Sequence, residues 1–373
     1  MDRRTFLHTT ALAAGSFAMT SPLRADDFQA HQERRRKELW ALLGDLPQPR
    51  EPQGKRVKTE KGDGYTLEHL ELDLNGEELV PAYLLIPDKR AEKAPGLLYI
   101  HAHGGNYPLG KDELLKGHGK YLQAYAPVCA AKGLVTLAID SWCFGARKSP
   151  KPGNQGEMDA FKHMLWKGQT LWGMMMFDEH QALTYLSRRA EVDPRRLGAF
   201  GLSMGSTKAW WLAALDPRVK MCIDLCCLTD YDELIRIGNL KGHGIYYYVP
   251  RQLSFPAHEI NALIVPRKHL SLNGREDLLT PPAGVERIRD HIRTLHEPVL
   301  AWARGRGAQV TSPRGANASG ILCVAPEGVR EVHRRLKAAR IVCSLREGSI
   351  RFSPHCYNTV DEMERVARAL AGD

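Results

Sequence analysis

The chain has 373 residues, 43% of them hydrophobic and 25% charged, with a formal net charge of +9 at pH 7. This is the balance of an ordinary globular protein with one large domain or two smaller ones, and it excludes a disordered, collagenous or coiled-coil chain. The basic residues are scattered, with no dense Lys/Arg block interleaved with aromatics, which argues against nucleic acid as a partner.

The N-terminus, MDRRTFLHTTALAAGSFAMT, carries Arg3 and Arg4, then Phe6 and Leu7, then a short apolar stretch. It resembles a twin-arginine export signal over residues 1–25, cleaved after Ala25, which implies a periplasmic or extracellular protein. The plain alternative is a disordered extension. The apolar run is too short and interrupted to span a bilayer, so no membrane association is expected after cleavage. The eight cysteines, Cys129, Cys143, Cys222, Cys226, Cys227, Cys323, Cys343 and Cys356, show no zinc spacing, and no metal is expected. Cys222, Cys226 and Cys227 lie in an apolar run and read as buried thiols. An exported protein would permit disulfides, which the sequence does not pair.

Residues 26–43 are patterned as an amphipathic helix. YTLEHLELDL and LVPAYLLIP read as antiparallel strands around a turn at Asn75-Gly76. APGLLYIHAHGG is a continuous apolar run, as a fully buried parallel strand requires. A helix is predicted over 121–132. GLVTLAIDSWCFG is a second buried strand and FDEHQALTYLSRRA a helix. RRLGAFGLSMG is a third strand running into a tight turn, followed by the helix STKAWWLAAL. VKMCIDLCCL and RKHLSLNGREDLL are further strands, and AGVERIRDHIRTL a helix. Strands alternating with helices predict an α/β fold with a mostly parallel sheet covered on both faces.

Near Leu295 the composition changes. Of 19 lysines only Lys337 lies beyond that point, against 11 of 33 arginines. GAQVTSP, SGILCVAP, ARIVCSL and SIRFSP read as strands, and GVREVHRRLKAA and TVDEMERVARAL as helices. This predicts a small α+β unit over 296–373, separate from a domain over 26–295.

Gly201-Leu202-Ser203-Met204-Gly205 places a serine between a buried strand and a helix. The glycines allow the close backbone approach of such a turn, and the helix N-terminus lends a positive dipole. Ser203 is therefore the candidate nucleophile; a structural turn serine is the alternative. Acyl transfer needs amide donors for an oxyanion, and Met204, with Gly105 or Asn106 from HAHGGN, is the candidate set. His101 and His103 share a strand face and suggest a metal, but no third ligand is evident and a loop-positioning role is preferred. Asp277, after the fifth buried strand, can orient an imidazole, with Glu276 as its runner-up. The Met and Trp residues of WKGQTLWGMMMFD read either as an acyl pocket or, preferably, as core packing.

The texts HAHGGNYPLGKDEL, IDSWCFGAR, LWKGQTLWGMMMFDEHQALTYL, VDPRRLGAFGLSMG and LNGREDLLTPP together resemble α/β-hydrolases of the dienelactone hydrolase and acetyl-xylan-esterase-like group, over about 65–295. The resemblance implies a serine hydrolase acting on a small-molecule carboxylic ester, with catalytic residues in the order Ser, Asp, His. It also implies a histidine about thirty residues after the acid. That place reads AWARGRGAQVTSP and contains none. The downstream histidines are His291, His296, His333 and His355. His355 is in a turn and is the first candidate, and His296 the next. The main expectation is that no histidine completes the set.

The segment VCSLREGSIRFSPHCYNTVDE, within 296–373, resembles the C-terminal small domain of class V aminotransferases. That resemblance assigns Arg351 to gripping a substrate carboxylate. Pyridoxal phosphate chemistry needs a Schiff-base lysine and a large cofactor domain. Lys337 falls in a helical stretch, so no cofactor is expected, and the unit should expose an apolar face. Two readings follow: an ester hydrolase impaired by a lost histidine, or an inactive hydrolase-fold fusion whose tail serves at most as an interaction module. The sequence assigns no oligomeric state.

Overall fold

The structure, a computed structural model, describes residues 25–372 apart from 120, 152, 229, 278, 281, 316–318 and 355–357. Residues 1–24 of the export-type leader and His355 therefore lie outside the described residues. Among the described residues twelve strands form two sheets. In the larger sheet, β1 (Gln53–Gly62), β2 (Tyr65–Asp73) and β3 (Leu79–Pro87) form an antiparallel meander. It continues through β5 (Val135–Ile139), β4 (Ala94–Ile100), β6 (Val192–Leu202), β7 (Val219–Leu225) and β8 (Lys268–Leu272), all parallel to one another. The order β1-β2-β3-β5-β4-β6-β7-β8, with its helical crossovers, is an α/β-hydrolase fold.

The turn at Asn75-Gly76 forms as expected. Gly76 has φ +75°, and Asn75 Oδ1 accepts from the amides of Glu77 (2.8 Å) and Glu78 (3.1 Å). Strand β1 carries no apolar alternation and is exposed along its length; its ladder to β2 holds it.

Helices α1 (Ala25–Ala41), α2 (Glu113–Lys116), α3 (Ala126–Ala131), α4 (Gly153–Trp166), α5 (Leu171–Ser187) and α6 (Met204–Leu215) surround the sheet. Leu98, Ile100, Leu137, Ala199 and Cys222 pack on one face with residues of α1, α5 and α6. Tyr99, Ala138 and Phe200 pack on the other, with Leu114, Ala126 and Cys129. Between β7 and β8 lie the short helices α7 (Tyr231–Arg236) and α8 (Ala257–Ala262).

The second face is not covered to its end. Met221, Leu270 and Leu272 are 44–50% exposed beside Ile223 and Leu225. Helix α9 (Pro282–Arg306), which follows β8, packs instead on α11 (Val360–Ala371). Its residues Leu295, Val299, Leu300 and Ala303 belong to a second core. That core also contains residues from α10 (Val329–Ala338) and from the antiparallel sheet of β9 (Gln309–Val310), β10 (Leu322–Ala325), β11 (Ser344–Arg346) and β12 (Ser349–Phe352), in the order β11-β12-β10-β9. A capping box of Thr359 and Glu362 starts α11. Helix α9 runs unbroken across residue 295, with Pro298 inside it. The apolar face expected on the C-terminal unit is closed by α9, leaving Val342 and Val360 as the large apolar residues exposed there among those described.

Candidate active site

Ser203 sits at the junction of β6 and α6 with φ 55° and ψ −116°. A non-glycine residue at positive φ is costly, of order 1–3 kcal/mol, and persists only where its surroundings enforce it. Here the Ser203 amide donates to Leu225 O (2.9 Å) and the Thr207 amide to Ser203 O (3.0 Å). The flanking glycines permit the geometry. A Cβ on Gly201 would lie 2.3 Å from the carbonyl carbon of Gly205, and one on Gly205 would lie 2.0 Å from Ile100 O. Met204 opens α6, so its amide is among the donors that a helix leaves without an internal partner.

The facing loop follows β4. The Gly105 amide donates to His103 Nδ1 (3.0 Å) and the Asn106 amide to His103 O (3.0 Å). Both amides expected to serve an oxyanion are thus already engaged within the loop. His103 Nε2 bonds the fully buried carboxylate of Glu157 (3.1 Å), and its ring stacks on Tyr246 at 5.3 Å. His101 is locked as a neutral tautomer. Its Nδ1–H donates to Ala102 O (2.8 Å), its Nε2 accepts from the Ser141 amide (3.1 Å), and burial with the nearby Lys208 ammonium holds it well below the ordinary imidazole range. The two imidazoles have separate partners and brace the loop.

Asp277 Oδ1 accepts from the amides of Leu279 (2.9 Å) and Thr280 (3.1 Å). Its neighbour Glu276 forms no ion pair among the described residues. Among the described residues no imidazole hydrogen-bonds either Asp277 or Ser203 Oγ. The Ser203 hydroxyl instead meets Cys227 Sγ at 4.0 Å. His296 is buried in α9 and bonds Gly320 O (3.4 Å); burial lowers its pKa. His291 bonds Asn358 O (3.1 Å) and His333 bonds Cys343 O (3.5 Å). All three are tied to backbone of the C-terminal segment. Arg351 lies on β12 opposite Cys323 and Ser344, with no ion pair to a described residue. The Met and Trp stripe is core from Trp172 on, with Trp172, Met174, Met175 and Met176 fully buried, whereas Trp166 at its start is 89% exposed.

Two further imidazoles lie near the site, in segments with no local sequence signature. His118 donates through Nδ1 to the buried Glu113 carboxylate (2.7 Å), which also accepts from the Ala102 amide and the Tyr99 hydroxyl. Its Nε2 lies 2.2 Å from where a Cβ of Gly104 would be. His243, in the segment between β7 and β8, bonds Leu279 O (2.9 Å) and feels the Asp277 charge, while burial lowers its pKa. Beneath the site, Lys208 pairs with Glu179 (2.7 Å) and Ser141 Oγ, and Arg147 with Asp178 (2.8 Å), all fully buried.

The profile of the Abhydrolase family (Abhydrolase_7) matches residues 9–241. The chain belongs to this family. It is 44% identical over 265 residues to YtaP of Bacillus subtilis (strain 168), described as a hydrolase; the match covers 70% of this chain and 87% of YtaP. A solved structure of an acetyl xylan esterase candidate from Bacteroides fragilis superposes with TM-score 0.54 at 19% identity, over 66% of this chain and 68% of that one, and shares the fold. A separate 88-residue match, at 33% identity, is to YcbU of Bacillus subtilis (strain 168), described as an uncharacterized aminotransferase. It covers 24% of this Abhydrolase-family chain and only 24% of YcbU. Among the described residues no helix is long and apolar enough to cross a membrane.

Proposed function

We propose that this chain hydrolyses small-molecule carboxylic esters with an incomplete catalytic set. Ser203 is the nucleophile, the Met204 amide and the N-terminus of α6 receive the oxyanion, and Asp277 is an acid left without its imidazole. The observation that carries this reading is the strained Ser203 at its turn, with no imidazole bonded to it among the described residues. Ser203 Oγ attacks the ester carbonyl while its proton passes to solvent. The tetrahedral intermediate expels the alcohol, and water then hydrolyses the acyl-serine. A serine hydroxyl without an adjacent base is a poor nucleophile, yet donors and binding alone retain roughly 10³–10⁴-fold catalysis over water. Activated esters, whose leaving groups need no general acid, are therefore the substrates that turn over. No cofactor enters the reaction, and Arg351 takes no part in it.

The twin-arginine leader supports export, and the likeness to carbohydrate esterases supports acetylated sugars as the ancestral substrate class. The test compares p-nitrophenyl acetate with an acetylated sugar, using the intact chain and Ser203→Ala. The expected result is slow turnover of the first, lost in Ser203→Ala, and little of the second. Rates equal to Ser203→Ala on both substrates would favour an inactive hydrolase-fold fusion instead. Efficient sugar deacetylation that disappears in His355→Ala would show that the tail supplies the missing base.

A further inference from the structure

The parallel pair β7 and β8 places Cys222 opposite His269 and Asp224 opposite Ser271. Residues two apart on a strand share a face. All four side chains therefore lie on the face covered by α6, away from the open apolar face. Cys222 and Asp224 are fully buried, while His269 keeps a narrow opening to solvent at the sheet edge. His269 Nε2 lies 2.5 Å from Asp224 Oδ2, and Asp224 Oδ1 accepts from Ser271 Oγ (2.8 Å) and Ser206 Oγ (3.3 Å). One ligand atom from each of Cys222, Asp224 and His269 lies within 4.8 Å of the other two.

We propose that Cys222, Asp224 and His269 bind one zinc ion. A thiol, an imidazole and a carboxylate converging on one point form a borderline-soft donor set, which suits zinc and is wrong for magnesium or calcium. A thiolate and a carboxylate balance the two positive charges, so the occupied site is neutral, as a buried site requires. On binding, the Cys222 thiol loses its proton to solvent. The His269 proton moves from Nε2 to Nδ1, leaving the Nε2 lone pair for the metal, so one proton is released per ion. At zinc bond lengths of about 2.0 Å, tetrahedral nitrogen and oxygen ligands sit roughly 3.3 Å apart. Nε2 and Oδ2 must therefore separate slightly, which an edge-strand histidine can do by side-chain rotation. Ser271 Oγ or a water entering past His269 is the fourth ligand. The ion would staple β8, which has no outer neighbour among the described residues, to β7 and, through Ser206, to α6, the helix that follows Ser203. The inference is independent of whether the chain hydrolyses esters.

The test uses the full chain, stripped with chelator and titrated with Zn²⁺ against a chromophoric competitor, then with Co²⁺ to read thiolate-to-cobalt absorption. The expected result is one equivalent bound per chain, a cobalt–thiolate band absent from Cys222→Ser, and affinity in His269→Gln reduced by more than the 10–100-fold cost of losing a supporting partner. Circular dichroism checks that both variants fold. Absence of the cobalt–thiolate band in the unaltered chain would overturn the proposal without reference to any variant. Stoichiometric binding unchanged in folded Cys222→Ser would overturn it too, by placing the metal at other residues.

Discussion

The Ser203 hydroxyl meets the thiol of Cys227, with Oγ and Sγ 4.0 Å apart. Burial pushes that thiol up to about 11, so it is protonated at neutral pH and accepts no proton from serine. On the proposed incomplete set, the base is hydroxide. The rate on p-nitrophenyl acetate should rise about tenfold per pH unit from pH 6 to 9, because hydroxide concentration does, with no plateau near the ordinary imidazole pKa of about 6.5. A pH–rate profile checks this. A bend between pH 6 and 7 would reveal a working histidine and refute the incomplete-set reading.

Gly205 has no room for a methyl group, since its Cβ would lie 2.0 Å from the backbone oxygen of Ile100. A backbone obstacle cannot rotate away. Gly205→Ala is expected to cost about 3 kcal/mol, at the upper end for overpacking, and to abolish the Ser203-dependent rate. Urea unfolding should show a lower midpoint with an unchanged slope. A midpoint within error of the parent would mean that the β4 end and the α6 turn are not packed this closely.

The central sheet strands were legible as short apolar runs closed by glycine or a turn, as in LLYIHAHGG before the loop at Gly104, and β2 by its polar–apolar alternation. Strand β1 was not, because QGKRVKTEKG buries nothing and has only its ladder to define it. The length of α9 was not legible either. The pattern read as a helix ends at Leu295, yet α9 continues through Pro298 because Val299, Leu300 and Ala303 are buried in the second core. At the site, Ser203 was readable because its tight turn demands nearby glycines. The His103–Glu157 contact spans 54 positions, and His118–Glu113 crosses a glycine turn at no helical period. Neither kind of pairing leaves a local pattern. The engagement of the Gly105 and Asn106 amides by His103 depends on backbone geometry that residue types alone do not encode.

Lys208 and Glu179 form a buried pair 2.7 Å apart. Burial pushes the Glu179 carboxyl up, and the Lys208 ammonium opposes that push. Lys208→Met removes the opposition and leaves an unpaired buried acid, at an expected cost of about 3–5 kcal/mol at neutral pH. The sign with pH follows from the raised folded-state value. The folded variant binds the proton more tightly than the unfolded chain, so its stability should recover as pH falls and decline as pH rises. Denaturant midpoints between pH 5 and 8 test this. The double variant Lys208→Met, Glu179→Leu should regain most of the loss, and equal instability in both would locate the cost in packing.

The second core makes the C-terminal segment a candidate independent folding unit. Leu336 is fully buried within it, and Leu336→Ala should cost roughly 2–5 kcal/mol there. Six of the seven tryptophans lie before residue 300, leaving Trp302 as the optical probe of the second core. Thermal unfolding should show two transitions, with only the one reported by Trp302 moving in Leu336→Ala. A single transition shifted as a whole would mean that the two cores unfold together.

The apolar face at β7 and β8 is open because α9, the helix following β8, joins the second core. Leu270 and Leu272 are each half exposed. Half-exposed side chains on an edge strand contribute little burial and offer a surface for self-association. The double substitution Leu270→Thr, Leu272→Thr introduces β-branched, strand-favouring residues while removing apolar area. It should change unfolding free energy by no more than about 1 kcal/mol, the scale of surface substitutions. Sedimentation velocity at high protein concentration should show less self-association than the parent chain. A loss of stability well beyond that scale would mean that another part of the chain covers this face, and would withdraw the account of where α9 leaves the sheet bare.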